Sequence, residues 1–173
     1  VPMHLYAKDV YEGAAVHVTA FLGFVPKAAG AVAFMLLLST LGWGDGMSLP
    51  APILILLWVM SVLTMTLGNI AALLQKSVKR MLACSSIAHS GYLLIGIIAG
   101  PGLGFNAVIL YLFIYGIGNT ASFAVLAALE RGGHEIESVE DLAGLRLRQP
   151  MMASALAVSA GSLLGFPPLL GFW

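Results

Sequence analysis

Long apolar stretches separated by short polar segments dominate the pattern of the chain. Residues 81–129 contain no Asp, Glu, Lys or Arg over 49 positions, enough for two membrane helices of about 20 residues each. A glycine- and proline-rich turn at 100–104 divides this stretch. Lipid offers backbone groups no water, so such stretches cross a bilayer as helices. The pattern predicts about five transmembrane helices, over 16–41, 51–74, 81–100, 104–129 and 151–173.

The predicted fifth helix contains glycine and proline residues that interrupt a helix. Five helix-breaking residues lie close together in it: Gly161, Gly165, Pro167, Pro168 and Gly171. Proline removes an amide donor, so the helix is predicted to break at Gly165–Pro168. Transporters place such broken helices beside their ion sites. The predicted fold class is therefore an all-α, polytopic membrane helix bundle with a broken last helix, and residues 1–173 form one membrane domain.

Composition excludes several other classes of protein. Hydrophobic residues make up 60% of the chain and charged residues only 9%, too few to cover a soluble domain. Eight basic and eight acidic residues cancel, which leaves no basic field for nucleic acid. Cys84 is the single cysteine, so no disulfide framework forms. No metal, haem or phosphate-loop spacing occurs, and we expect no cofactor and no metal on this chain.

The basic residues predict the orientation of the chain. Seven of the eight fall before the first span or in the segments 75–80 and 130–150, all on one side of five alternating spans. The positive-inside rule makes that side cytoplasmic, or matrix-facing in an organelle. Within the longer segment, Ser138 is a candidate helix cap with Asp141 three residues on, which predicts a short surface helix.

Lys27 is the eighth basic residue, and it is the main candidate for function. It lies about eleven residues into the first span, near the middle of the membrane at 1.5 Å per residue. A lysine there costs roughly 2.5–3.5 kcal/mol, so it marks an ion or proton path, or a structural ion pair with another helix. Burial favours the neutral amine, which predicts proton exchange near neutrality. Pro26 predicts either a hydrated pocket beside Lys27 or an ordinary kink.

Two polar features in the third and fourth spans are further candidates. His89 lies in the middle of the third span, as a proton relay or as a polar contact between helices. The fourth span carries a polar stripe at helical spacing, which predicts helix packing or a water-lined path. Its members are Tyr111, Tyr115, Asn119 and Ser122.

Several motifs together resemble one membrane protein family. These are Asp9-Val-Tyr-Glu-Gly, Gly68-Asn69, the run from Val78 to Tyr92 with Ser-Ser-Ile-Ala-His-Ser-Gly-Tyr, and Gly165-Phe-Pro-Pro-Leu-Leu-Gly-Phe. In this order they resemble the antiporter-like subunits of respiratory complex I, over essentially the whole chain. The first and third motifs are most similar to the subunit N branch of NADH-quinone oxidoreductases.

The resemblance implies an internal fragment, truncated at both ends, that holds helices eight to twelve of a fourteen-helix fold. His4 and Lys27 then fall on the family's proton-path positions, and His89 joins them as a predicted relay residue. One departure lies beside this site, since Pro26 stands where the family usually has Ser or Thr.

The implied function is proton translocation in an NADH:quinone oxidoreductase, with NADH oxidation and quinone reduction in partner subunits. The expected partners are other membrane subunits of complex I, lipid and internal water. The expected location is the bacterial cytoplasmic membrane or an organelle inner membrane. The alternatives are a subunit of a cation/proton (Mrp-type) antiporter or membrane-bound hydrogenase, and a purely structural membrane scaffold.

Overall fold

The computed structural model describes residues 6–41, 43, 49–131, 136–167, 169 and 171. Its α-helices are α1 (Ala7–Gly13), α2 (Val16–Thr40), α3 (Ala51–Leu73), α4 (Val78–Ile98), α5 (Leu103–Arg131), α6 (Leu145–Arg148) and α7 (Pro150–Leu163), with a 3-10 helix at Val139–Leu142. Within these residues, α2, α3, α4 and α5 are long and apolar enough to cross a membrane. The predicted all-α membrane fold class is confirmed.

The fifth predicted span contains the expected interruption. Helix α7 starts with Pro150 at its first position, where a missing amide costs nothing. It ends at Leu163 after 14 residues, about 21 Å, which is shorter than a bilayer core. Gly165 follows with a φ of +72°, a left-handed conformation that glycine adopts readily. The helix therefore stops at the glycine- and proline-rich segment.

Helix α1 was not predicted from the apolar pattern, because it is short and carries charges. Its Tyr11 is buried and packs against Phe123 of α5, with ring centroids 6.1 Å apart. Arg80 at the start of α4 forms ion pairs with Glu12 and, at 3.8 Å, with Asp9. These contacts fix α1 at the end of the bundle where α4 begins.

The two predicted charged segments meet at that same end. The Val78 N–H donates to the Glu137 carbonyl at 3.1 Å, and the Val139 N–H donates to the Lys76 carbonyl at 3.0 Å. Lys79 also pairs with Glu130 at 2.9 Å. The charged segments 75–80 and 130–150 are thus joined by backbone and ion-pair contacts.

The predicted surface helix is present as the 3-10 helix Val139–Leu142. The Ser138 N–H donates to Asp141 Oδ2 at 2.8 Å, while the Asp141 N–H donates to Ser138 Oγ at 3.3 Å. This reciprocal pair is a capping box. The Ser138 hydrogen bonds, above all the one from its backbone N–H, hold the pKa of the Asp141 carboxyl below its usual range.

Two apolar clusters hold the long helices together, and a polar layer lies between them. One cluster includes Ala31, Met35, Leu93, Ile97, Val108 and Leu112. The other includes Val16, Ala83, Phe123, Leu126 and Leu129. Along α2, α4 and α5, the positions between the clusters include Lys27, Ser86, His89, Tyr115 and Asn119. The candidate functional residues therefore share one level of the bundle.

Candidate functional site

Lys27 reaches from α2 to both α4 and α5. Its ammonium donates hydrogen bonds to the Ser86 carbonyl, to Ser86 Oγ at 2.5 Å and to Tyr115 Oη at 3.3 Å. The nitrogen also lies 4.9 Å from the centroid of the Tyr115 ring, within range of a cation–π interaction. Ion pairs among the described residues do not include Lys27. The partners of the amine among the described residues are neutral oxygens and a π face.

Pro26 does not end α2, which continues from Val16 to Thr40. Lys27, directly after the proline, contacts both α4 and α5 through its side chain. A hydrated pocket beside Lys27, which is one of the two interpretations of Pro26 from the sequence, stays a prediction.

Tyr115 connects Lys27 to two further acceptors. Its hydroxyl lies 3.3 Å from the Gly23 carbonyl on α2 and 3.5 Å from Asn119 Oδ1 one turn along α5. A Cβ at Gly23 would lie 2.5 Å from Asn119 Nδ2, so a larger residue there would displace the Asn119 side chain. The small residue on α2 thus lets α5 bring its polar side chains against the helix that carries Lys27.

His89 occupies the same layer from α4. Its Nδ1 lies 2.5 Å from Tyr111 Oη, and its ring centroid lies 4.9 Å from that of Tyr115. Tyr92 packs edge-on against the imidazole at 5.6 Å. With only 6% of its surface exposed, His89 makes the contact between helices that one interpretation of the sequence expected. Its role as a relay stays a prediction.

The polar stripe on α5 faces three neighbouring helices. Tyr111 contacts His89 of α4, and Tyr115 contacts Lys27 of α2. Ser122 Oγ lies 3.0 Å from Ser159 Oγ of α7. The stripe is therefore packed against protein along its length.

One predicted site residue lies outside the described residues, and two residues of the site were not predicted. His4 lies outside the described residues. Ser86 was missed as a partner of Lys27, although its position three residues before His89 places both on one face of α4. Ser159 was also missed, because a serine in an apolar helix gives no signal by itself.

The chain belongs to the NADH:quinone oxidoreductase/Mrp antiporter transmembrane family, whose model matches residues 1–173. It is 43% identical over 175 residues to NADH-quinone oxidoreductase subunit N of Rhodospirillum rubrum, covering 100% of this chain and 35% of the relative. It is 45% identical over 172 residues to subunit N of Geotalea uraniireducens, covering 99% of this chain and 35% of that relative. The predicted resemblance is confirmed.

A solved structure supports the same assignment. A chain of respiratory complex I from Thermus thermophilus with bound aureothin matches with a TM-score of 0.80 and 34% sequence identity. The match covers 100% of this chain and 36% of that chain. The present chain thus spans about a third of the length of these relatives.

Proposed function

We propose that this chain is the proton-carrying core of a membrane subunit of an NADH:quinone oxidoreductase. Lys27 takes up and releases the transferred proton, and the redox chemistry occurs in partner subunits. The relatives named as subunit N favour this assembly over an Mrp-type antiporter. The observation that carries the proposal is the Lys27 amine, held in a polar layer by Ser86 and Tyr115 without a carboxylate partner among the described residues.

The geometry suits proton exchange at this amine. An ammonium has three N–H donors, and the Ser86 carbonyl, Ser86 Oγ and Tyr115 Oη accept from it. When the proton leaves, the Ser86 and Tyr115 hydroxyls can turn and donate to the neutral amine instead. The site therefore satisfies both protonation states, while a carboxylate partner would lock the lysine in its charged form. Internal water would link the amine to neighbouring relay groups.

His89 and Tyr111 form the next relay pair in this proposal. We expect His89→Ala to slow proton pumping more than it lowers the yield of assembled complex, because the imidazole has two ring nitrogens that can each donate or accept a hydrogen bond. Tyr111→Phe removes only the hydroxyl that contacts His89 Nδ1 and should slow pumping in the same direction. The measurement is NADH-driven proton uptake in inverted membrane vesicles, divided by the amount of assembled complex. Normal pumping per complex in both variants would show that His89 and Tyr111 contribute only to helix packing.

We also propose that the end of the helix bundle that carries Lys76 faces the cytoplasm or matrix. In a Cys84→Ala background, a cysteine replacing the exposed Lys76 should react with an impermeant maleimide from that side only. A cysteine replacing Leu103, which is 90% exposed at the other end of the bundle, should react from the opposite side only. The reverse pattern in sealed vesicles of known orientation would overturn the assignment.

A further inference from the structure

Two large apolar side chains are left uncovered where the charged segment 130–150 leads into α7. Leu147 of α6 is 90% exposed, and Met151 in the first turn of α7 is 82% exposed. A single exposed apolar residue is ordinary on a protein surface. Here two of them lie four residues apart at the start of an apolar helix, so this short stretch presents an apolar surface.

The orientation of α6 is fixed by contacts on its other face. Leu145 and Met152 both pack against the apolar cluster that contains Phe123 and Leu126. Leu147 comes two residues after Leu145, which is about 200° around a helix, so its side chain points away from that cluster. The exposure of Leu147 therefore follows from the way α6 is held on the bundle.

Two arginines flank Leu147 along the chain. Arg146 and Arg148 are both exposed, and the ion pairs among the described residues include neither of them. A guanidinium presents a planar fork of N–H donors that matches the oxygens of a phosphate group. Arg146, Leu147, Arg148 and Met151, here called the α6 patch, thus combine apolar side chains with two positive charges.

The α6 patch lies at an end of the bundle where membrane helices begin. Its segment is joined to the segment before α4 by the hydrogen bond from the Val139 N–H to the Lys76 carbonyl at 3.0 Å. Helix α7 starts at Pro150, directly after the arginines, and is apolar from its first turn. Headgroups meet acyl chains at this depth, and an arginine there keeps its guanidinium among the headgroups while its stem lies on apolar surface.

We propose that the α6 patch binds an anionic phospholipid. Arg146 and Arg148 hold the headgroup phosphate, while Leu147 and Met151 lie against the upper part of the acyl chains. The inference goes beyond proton transfer and does not rest on Lys27.

Charge and size both favour a lipid over a partner protein as the occupant. Two arginines attract a headgroup with a net negative charge, whereas the ammonium of a phosphatidylcholine headgroup cancels the charge of its own phosphate. A stable protein interface buries about 800 Å² on each partner, far more than two apolar side chains provide. One lipid molecule, with a phosphate and two acyl chains, matches both parts of the α6 patch.

Photocrosslinking in vesicles tests the proposal. The purified complex is reconstituted into phosphatidylcholine vesicles that contain a trace of photoreactive phosphatidylglycerol or, in a parallel sample, photoreactive phosphatidylcholine. After illumination and pepsin digestion, mass spectrometry measures the lipid adduct on peptides from 142–156 per recovered peptide. We expect the phosphatidylglycerol probe to label this segment, and unlabelled phosphatidylglycerol, but not phosphatidylcholine, to compete with it.

Three variants separate the two parts of the α6 patch from the general charge of the surface. Each basic residue near an anionic surface contributes about fivefold to binding, so Arg146→Gln with Arg148→Gln should lower the adduct at least about tenfold. Leu147→Ser keeps both charges but removes apolar contact and should lower it at least about threefold. The matched control is Lys76→Gln, which removes an exposed charge at the same end and should stay within about twofold of wild type.

The alternatives give different results in the same experiment. Equal labelling of wild type by both probes would show that the α6 patch meets bulk lipid without choosing an anionic headgroup. Labelling by neither probe would show that a partner subunit covers it. An equal loss of adduct in Lys76→Gln and in the double arginine variant would show a general surface charge. Each of these results would overturn the proposal, and the first two need only the wild-type complex.

Discussion

Proton pumping should fall by at least about tenfold in Lys27→Ala, while the membrane helices still insert and the complex still assembles. The expected loss is large because Lys27 is the one amine in the polar layer among the described residues, and Ser86 and Tyr115 would lose the group to which both bond. Insertion should not suffer, since a lysine in mid-membrane costs roughly 2.5–3.5 kcal/mol that alanine does not. The measurement is proton uptake per NADH oxidised in inverted vesicles, normalised to assembled complex.

The matched control is Lys76→Ala, which removes an exposed lysine at the end of the bundle. It should leave pumping unchanged, because an exposed side chain outside the polar layer takes no part in the proposed transfer. If Lys27→Ala pumps as well as Lys76→Ala, Lys27 is structural, and the scaffold interpretation of the chain gains support.

Gly68→Val should sharply reduce the yield of assembled complex. A Cβ at Gly68 would lie 2.7 Å from the backbone nitrogen of Ala88 and 3.0 Å from its Cα, so α3 and α4 would have to move apart. Helices in lipid associate largely through close backbone contact at small residues, and overpacking such a contact typically costs about 1–3 kcal/mol. Separating α3 from α4 would also displace Ser86 and His89, which α4 carries into the site.

Gly30→Ala on α2 is the control for that experiment. A Cβ at Gly30 meets no atom within 4 Å, and alanine favours a helix over glycine by about 1 kcal/mol. We expect normal or slightly higher yield of the complex, measured by native gel and by thermal unfolding. Equal loss in the Gly30 and Gly68 variants would show that α3–α4 packing does not explain the effect.

The membrane helices could be predicted from the sequence because lipid imposes a simple rule on their length and charge. The ends were less certain, since helix α4 begins at Val78 rather than at residue 81. Lys79 and Arg80 lie in its first turn, where long basic side chains bond to Glu130 and Glu12 at the bundle end. The charges of Lys79 and Arg80 suggested a loop from the sequence alone, whereas their ion pairs with Glu130 and Glu12 allow the helix to begin at Val78.

The sequence singles out some residues of the candidate site but not their arrangement. Lys27 and His89 stand out because ionisable groups are rare in apolar spans. Ser86 and Ser159 do not stand out, because their partners depend on how each helix is rotated about its axis. The sequence likewise does not reveal that Asn119 Nδ2 has no hydrogen-bond partner among the described residues, because this depends on how α5 packs against Gly23.

The central claim is that Lys27 works by releasing its proton, and Lys27→Arg tests it most directly. A guanidinium keeps the positive charge and the hydrogen-bond donors but does not give up its proton under working conditions. The account predicts that Lys27→Arg pumps nearly as poorly as Lys27→Ala, measured as NADH-driven proton uptake per assembled complex in inverted vesicles. Wild-type pumping in the Arg variant would contradict it, because a fixed charge would then suffice.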